Sequence, residues 1–348
     1  MDKELECDFV FGDKYLDVKK MDYSLLSHFK KEVQNKTFIK RPLYYQKGVL
    51  SLLNEDYTHY IMLGEVVCIS TWLMVWGARL KGKKIYLWSH GWYGKESKIR
   101  IFITKFFFQR FASGFFLYGN YAKKLMMEGG LNPQKLHVVY NSLAYDEQIE
   151  LRKKLKNTDI YKVHFHNDCL NLIFVGRLTK VKQLDMLLYA LLELNRQGLN
   201  YNLTLIGSGE MTQKLSDLAK ELNVEDNVWF YGATYNEIEI SKLIYNADLC
   251  VSSGNVGLTA MHAMVYGCPV ITHDNFTWQM PEFEAIEKGK TGDFFKQNNI
   301  QSLVETIQKW FLQNLDRETV REKCYEIIDS KYNPHKQLET IKAVLMNE

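Results

Sequence analysis

A glycine-containing loop at residues 252–258 carries the features of a phosphate-binding element. The apolar run before it predicts a buried strand, because its side chains barely alternate in polarity. Small and apolar residues at 259–266 predict a short helix that ends at Gly267. A strand, a glycine loop and a helix start together offer backbone N–H groups and a positive helix end to an anion. Gly254 and Gly257 would equally serve a plain turn, so the loop alone leaves both interpretations open.

Basic residues and further glycines stand at the ends of two other predicted strands. One apolar run ends at Gly176, followed directly by Arg177 and five residues later by Lys182. Another ends at Gly207 and Gly209. Cationic side chains at strand ends can neutralise a phosphate, and surface ion pairs are the alternative role. The second pair is not a dinucleotide fingerprint, because the third glycine is missing, and this argues against an NAD enzyme.

A histidine follows a further predicted strand at residues 83–89. His90 and Gly91 stand at the carboxyl end of that strand, where open α/β sheets place their ligand chemistry. His90 is therefore a candidate site residue, and a loop histidine held by backbone hydrogen bonds is the alternative.

The ordered series of strand-end motifs resembles the family 4 glycosyltransferases, which are nucleotide-sugar enzymes of the GT-B type. The resemblance extends over residues 170–295. It implies an α/β protein with two Rossmann-like domains whose parallel sheets face each other across a cleft. Residues 1–150 would bind the acceptor, and residues 169–330 would bind the nucleotide sugar. Residues 151–168 would connect the domains, and residues 331–348 would form a helix that returns toward the N-domain.

The resemblance also implies roles for individual residues. Arg177 and Lys182 match the family's phosphate-binding pair, and His90 matches a histidine that contacts the donor sugar or the acceptor; these three are the predicted catalytic residues. The predicted donor-binding residues are Gly176, Gly207, Gly209, Asn255, Val256, Gly257, Leu258, His262 and Glu282. No Asp-x-Asp pair occurs in the sequence. We therefore expect the basic residues to stabilise the leaving diphosphate, with no metal and no cofactor besides the donor.

One motif departs from the family pattern. The family has two glutamates separated by seven residues, the first for donor sugar hydroxyls and the second for the ribose; here Gly254 and His262 occupy these positions. His262 could hydrogen-bond a ribose hydroxyl or a phosphate, and Asn255 could turn toward the sugar. Glu282 follows a proline, as in the family, and would cap or orient sugar-binding amides. These replacements are typical of a subgroup with altered donor contacts, and they leave a catalytically silent relative as an alternative.

The resulting expectation is a hexosyltransferase-type glycosyltransferase. It would move a sugar from a nucleotide-diphosphate sugar to a glycan or lipid-linked acceptor of cell-surface polysaccharide synthesis, with the retention of anomeric configuration that the resemblance implies. A nucleotide-sugar epimerase of the same fold would need no acceptor, and a silent relative would bind nucleotide without turnover. No nucleic-acid partner is expected.

The chain has 348 residues, of which 46% are apolar. This is enough for two hydrophobic cores, which must support the elements that position these residues. Residues 1–168 contain 27 Lys and Arg against 18 Asp and Glu, whereas residues 169–348 contain 17 against 23. The first half thus favours anionic surroundings. Its segment 95–111 mixes basic and aromatic residues. That segment would be either a sheet-packing helix with a basic rim or a face that rests on anionic lipid.

The remaining features concern location and local structure. Scattered cysteines indicate reduced thiols, and neither a secretory signal nor an apolar run of transmembrane length occurs. We expect a cytoplasmic protein, soluble or peripheral on the inner face of the cell membrane. Residues 9–12 resemble the family's second strand, so the first strand of the N-domain is expected to be missing. Asn120 is expected to cap a helix at 121–128, and residues 301–323 to form one amphipathic helix.

Overall fold

The computed structural model describes residues 1–13, 20–38 and 43–346. The chain forms two compact units, Met1–Val139 together with the residues from Leu338 onward, and Tyr140–Gln337. The first boundary therefore lies at Tyr140 rather than at residue 150, because the helix that follows packs on helices of the second unit.

The first unit contains seven strands and five helices among the described residues before Tyr140. Its strands are β1 (Phe9–Gly12), β2 (Phe29–Thr37), β3 (Tyr44–Lys47), β4 (His59–Leu63), β5 (Lys84–Ser89), β6 (Gly114–Leu117) and β7 (Leu136–Val138). Its helices are α1 (Asp2–Leu5), α2 (Ile69–Leu80), α3 (Lys98–Phe102), α4 (Gln109–Phe111) and α5 (Asn120–Glu128), with a π-helical turn at Ile103–Phe108 between α3 and α4.

Two separate sheets organise this unit. Strands β4, β5, β6 and β7 form a parallel sheet in that order. Strands β1, β2 and β3 form a second sheet, in which β1 and β2 are parallel and β2 and β3 antiparallel. Residues 9–12 are thus a strand, as expected, but they lie outside the four-stranded parallel sheet.

The second unit is a complete doubly wound sheet. Its strands are β8 (Leu170–Val175), β9 (Tyr201–Ile206), β10 (Val228–Gly232), β11 (Leu249–Val251), β12 (Val270–His273) and β13 (Gly292–Phe295). Its helices are α6 (Tyr145–Arg152), α7 (Ile160–Phe165), α8 (Leu184–Arg196), α9 (Thr212–Glu221), α10 (Glu237–Asn246), α11 (Leu258–Val265), α12 (Ile300–Leu312) and α13 (Arg317–Lys331), and α14 (Pro334–Met346) runs from this unit into the first. All strands are parallel, in the Rossmann order β10-β9-β8-β11-β12-β13.

Apolar residues explain these elements. Every residue of β9 is buried, as expected for a parallel strand covered on both faces. Helix α8 buries one stripe of leucines and an alanine against the sheet, at helical spacing: Leu184, Leu187, Leu188, Ala190, Leu191 and Leu194. Helix α14 places Ile341 in a buried cluster with Tyr86 and Phe116 of the first unit.

Two helix predictions need correction. Gly119 is the N-cap of α5 and Asn120 is its first helical residue, so Asn120 does not cap it. Residues 301–323 are divided between α12 and α13. Asn314 has a positive φ of 46°, and the Asp316 side chain accepts a hydrogen bond from the backbone N–H of Thr319, which starts a new helix. Within the described residues, no helix has the length and apolar content needed to cross a bilayer.

Candidate functional site

The strand order of the second unit fixes where a ligand should bind. Strands β8 and β11 are neighbours, and the chain continues in opposite directions across the sheet from them. Their connections to the next elements, residues 176–182 and 252–257, follow the carboxyl ends of both strands. Open α/β sheets bind ligands at such a switch point, and most of the predicted site residues lie there.

Three predicted glycines let the strand-end loops pack backbone against backbone. A Cβ on Gly207 would lie 1.9 Å from the carbonyl oxygen of Gly176, and one on Gly209 would lie 2.4 Å from a carbonyl oxygen of the β8–α8 loop. A Cβ on Gly254 would lie 2.1 Å from the carbonyl oxygen of Val181. Gly254 therefore has no room for the glutamate of the family motif. Donor contacts by Gly176, Gly207 and Gly209 stay predictions.

Lys182 is the cation that this packing places beside the glycine loop. Its Nζ donates a hydrogen bond to the carbonyl oxygen of Asn255 at 2.7 Å. Burial lowers the pKa of Lys182 to about 8; the charge of Glu282 opposes this shift, and that of Arg177 adds to it. Arg177 itself is exposed. The structure thus brings both predicted basic residues within electrostatic range of each other, with too little negative charge to hold the Lys182 pKa at its ordinary value.

The start of α11 faces the same loop. Gly257 has a φ of 53°, which favours glycine, and α11 begins at the next residue. Across the described parts of the chain, the backbone N–H groups of Gly257 and Leu258 have no hydrogen-bond partner. The N–H of Val256 instead donates to Oε1 of Gln279 at 2.8 Å. The Val256 amide is therefore not available to a phosphate in this structure, in contrast to the prediction that Val256 contacts the donor.

Gln279 is a residue that the sequence did not reveal. Its side chain is buried, accepts from Val256, and donates to Oγ1 of Thr272 at 2.9 Å and to the carbonyl oxygen of His273 at 3.0 Å. It therefore fixes the glycine loop to the end of β12. It follows no motif in the sequence, and only the tertiary contact identifies it.

Glu282 is a buried carboxylate, 2% exposed. Its Oε1 accepts a hydrogen bond from Nδ2 of Asn141 at 2.8 Å, and its Oε2 has no partner within the described ranges. No backbone amide of the described residues donates to it, in contrast to the expectation that it would cap or orient such amides, but it acts electrostatically on Lys182. The negative charge of Glu282 thus favours the protonated form of Lys182.

His262, at the second motif position, belongs to a hydrogen-bonded cluster. One oxygen of Glu237, the first residue of α10, accepts from Nε2 of His262 at 2.9 Å, from Oη of Tyr266 at 2.6 Å and from Nε2 of Gln148 at 2.9 Å. Burial would raise the pKa of Glu237, but His262, Tyr266 and Gln148 outweigh it and lower the pKa to about 2. An acidic residue in a first helical turn is common, so the sequence did not mark Glu237 as special.

His90 belongs to the first unit. It follows β5, and Gly91 adopts a φ of 70° where a Cβ would lie 2.8 Å from Cβ of Ala122. The ring centroids of His90 and Tyr118 are 4.7 Å apart. The loop is thus held by close packing, and a contact of His90 with donor or acceptor stays a prediction.

The second unit therefore combines two cations, a helix start with free N–H groups and a glycine loop that permits close approach. Such a set binds a diphosphate. Residues 156–327 match the family described as glycosyl transferases group 1.

This part of the chain belongs to that family.

Relatives of this chain include a Klebsiella pneumoniae protein named as an uncharacterized 41.2 kDa protein in the cps region. It is 27% identical over 61% of this chain and 55% of its own length. The chain spans about half the length of the curated relatives that it matches.

Solved structures extend the similarity beyond the matched segment. Anabaena HepE in complex with UDP aligns with a TM-score of 0.68 at 16% identity, over 86% of this chain and 81% of that one. The lipopolysaccharide outer core galactosyltransferase WaaB aligns with a TM-score of 0.68 at 20% identity, over 95% and 88%. At these identities the similarity concerns the fold, and it confirms the predicted α/β GT-B class.

Proposed function

We propose that the protein transfers a sugar from a nucleotide-diphosphate sugar to a glycan or lipid-linked acceptor in the synthesis of a cell-surface polysaccharide. The observation that carries this proposal is the convergence of Lys182, Arg177 and the free N–H groups at the start of α11. A departing nucleoside diphosphate gains negative charge as the glycosidic bond opens, and these groups would stabilise it.

UDP is the first nucleoside diphosphate to test, because HepE was solved with UDP. The polysaccharide context is supported by the cps-region relative and by the name of WaaB. Retention of configuration and independence from metal belong to the proposal, as does a cytoplasmic location. Lys182 and Arg177 would supply the positive charge that a metal supplies in other transferases.

The donor part of the proposal is tested by titration calorimetry with UDP, GDP and inorganic pyrophosphate in the presence of EDTA. We expect one nucleoside diphosphate to bind, and Lys182→Ala to weaken it at least tenfold. Lys180→Ala is the matched control, because Lys180 is an exposed cation two residues away. Equal losses in the two variants, or no binding by any diphosphate, would contradict the donor site.

Turnover distinguishes the enzyme from its alternatives. Without an acceptor, a transferase consumes the nucleotide sugar only by slow hydrolysis. Its turnover rate should rise when a lipid-linked saccharide is added. An epimerase would release an altered free sugar without acceptor, and a silent relative would bind nucleotide without any product. Product analysis by mass spectrometry separates these three results.

A membrane face on the first unit is part of the same proposal. Helix α2 exposes Leu73, Trp76 and Leu80, and the helical segment 98–111 exposes Ile99, Phe102 and Phe106. Both sets follow an i, i+3, i+7 spacing, which puts each on one helix face. The two helices touch through Trp72 and Phe107, whose ring centroids are 4.8 Å apart. Large exposed apolar stripes beside Lys95 and Lys98 suit the surface of an anionic membrane.

Co-sedimentation with vesicles of anionic phospholipid at low salt tests this face. We expect the protein to bind, and a Trp76→Ser/Phe102→Ser/Phe106→Ser variant to lose most of that binding. Tyr235→Ser is the control, because Tyr235 is an aromatic residue that is 99% exposed in the second unit. Binding that survives the triple substitution would contradict the assignment.

A further inference from the structure

A cavity of about 780 Å³ lies inside the first unit, next to two sheet edges. Its lining includes every residue of β1 (Phe9–Gly12) and every residue of β4 (His59–Leu63). From β2 it includes only Val33, and from β5 only Trp88. Successive strand residues point to opposite faces of a sheet. A cavity lined by all successive residues of a strand therefore faces the strand's edge, whereas β2 and β5 meet it by a face.

Both of these edges are unpaired in the described residues. In the strand order, β4 is the outer strand of its sheet and pairs only with β5, and β1 is the outer strand of the other sheet and pairs only with β2. An unpaired edge presents a row of backbone N–H and C=O groups. Backbone groups that no neighbouring strand pairs are available to a partner, so the two edges that border this cavity suit an occupant that supplies both donors and acceptors.

Much of the side-chain surface around the cavity is apolar, and Asp8, Asp56 and His59 are among the polar residues that also line it. Oη of Tyr44 donates to Glu65 at 2.9 Å, and Oη of Tyr60 donates to the carbonyl oxygen of Leu52 at 2.9 Å. These hydroxyls are thus engaged within the protein, and Val49, Met74 and Leu52 add apolar surface to the lining. What the cavity offers is mainly apolar side-chain surface together with backbone hydrogen-bonding groups. A strand of apolar residues matches both.

The second unit contains the corresponding arrangement in filled form. Its strand β8 (Leu170–Val175) lies between β9 and β11 and pairs with both. In the first unit the cavity lies between β1 and β4, with the sheets continuing outward from each. A single strand in the cavity would join the two sheets into one, in the order β3-β2-β1-strand-β4-β5-β6-β7.

We propose that this cavity is a binding slot for one extended, mainly apolar polypeptide strand, which pairs with β4 on one side and with β1 on the other. Recognition would follow the mode of strand addition, in which main-chain hydrogen bonds supply affinity and alternate side chains fill apolar space. The proposal concerns the first unit alone and is independent of the donor site.

Hydrogen exchange of the full chain, measured at residue resolution without nucleotide, tests the slot. The probes are three synthetic peptides with the sequences of residues 170–175, 201–206 and 228–232, each preceded by three lysines for solubility. We expect at least one peptide to slow amide exchange in β4 and β1 at least tenfold. Strand β13 is the internal control, because it is also an outer strand and does not line the cavity.

Backbone N-methylated versions of the same peptides are the matched control. They keep the apolar side chains and lose the N–H donors on one edge, so they should give no protection. Protection by none of the three peptides would overturn the proposal. Equal protection by the N-methylated peptides or by dodecanoate would also overturn it, because the cavity would then be a hydrocarbon pocket.

Discussion

The pKa of Lys182 links nucleotide binding to pH in a direction that the structure fixes. Burial lowers this pKa to about 8, and a bound diphosphate, placed beside Nζ, would raise it again. The protonated amine is the form that attracts the diphosphate. Binding should therefore be strong at neutral pH and should weaken as the pH rises above about 8.

The size of the effect follows from linkage. If the pKa in the complex lies above the range measured, the Kd rises in inverse proportion to the fraction of the free protein in which Lys182 is protonated. Between about pH 7 and about pH 9.5 this amounts to roughly a thirtyfold rise, or about 2 kcal/mol.

Unfolding of the ligand-free protein should respond in the opposite direction. The folded-state pKa of Lys182 is lower than its unfolded value, so the unfolded chain binds more protons between about pH 8 and about pH 10.5. This residue's contribution to the free energy of unfolding therefore increases with pH in that window.

Calorimetric titration with UDP at constant ionic strength, in steps from about pH 7 to about pH 9.5, measures the binding effect. Lys182→Arg is the control, because arginine stays charged throughout and the ligand's own titration is common to both proteins. The ratio of the two Kd values should change about thirtyfold. A ratio that stays constant over this range would refute the reasoning.

Three further predictions follow from the same site. Gly254→Glu, which restores the family's acidic residue, should destabilise the protein by about 1–3 kcal/mol in thermal unfolding, because its Cβ meets the Val181 carbonyl oxygen; an unchanged melting temperature would contradict the packing. Glu237→Gln should cost about 1–3 kcal/mol in urea unfolding at neutral pH, because one oxygen of Glu237 accepts three hydrogen bonds. Since the folded pKa of Glu237 is depressed to about 2, its contribution should be lost as the pH falls from about 4.5 toward 2, and a cost that persists at acid pH would argue against it. EDTA should leave the Kd for UDP unchanged, and a loss that Mg²⁺ reverses would show that Lys182 and Arg177 do not suffice.

The strands and helices near the site were largely predictable because local patterns specify them. The apolar runs before Gly176, Gly207 and Gly254 are strands, and Gly267 follows the end of α11 with a φ of 75°. The errors occurred where local signals were weak. Residues 301–323 keep an apolar period on both sides of Asn314, so the break before Asp316 was hidden in the pattern.

The candidate site was predictable for residues that follow strand ends and unpredictable for residues that act through tertiary contacts. Arg177 and Lys182 stand at the ends of local patterns that matched a family. Gln279, Asn141 and Glu237 carry no such pattern, because their partners are 23, 141 and 25 residues away in the chain. Their roles depend on which elements pack together.

The sequence by itself determined the class of the second unit, the positions of its strand-end motifs and the residues that supply positive charge. Apolar periodicity, glycine and charge are local properties, and they survive without knowledge of the neighbours. Only the tertiary structure decided that Gly254 is a packing position without room for an acid, that the Val256 amide is already occupied, and that His262 is paired with Glu237. Each of these depends on atoms brought together from distant segments. Steric exclusion and hydrogen-bond occupancy become defined only when those segments pack.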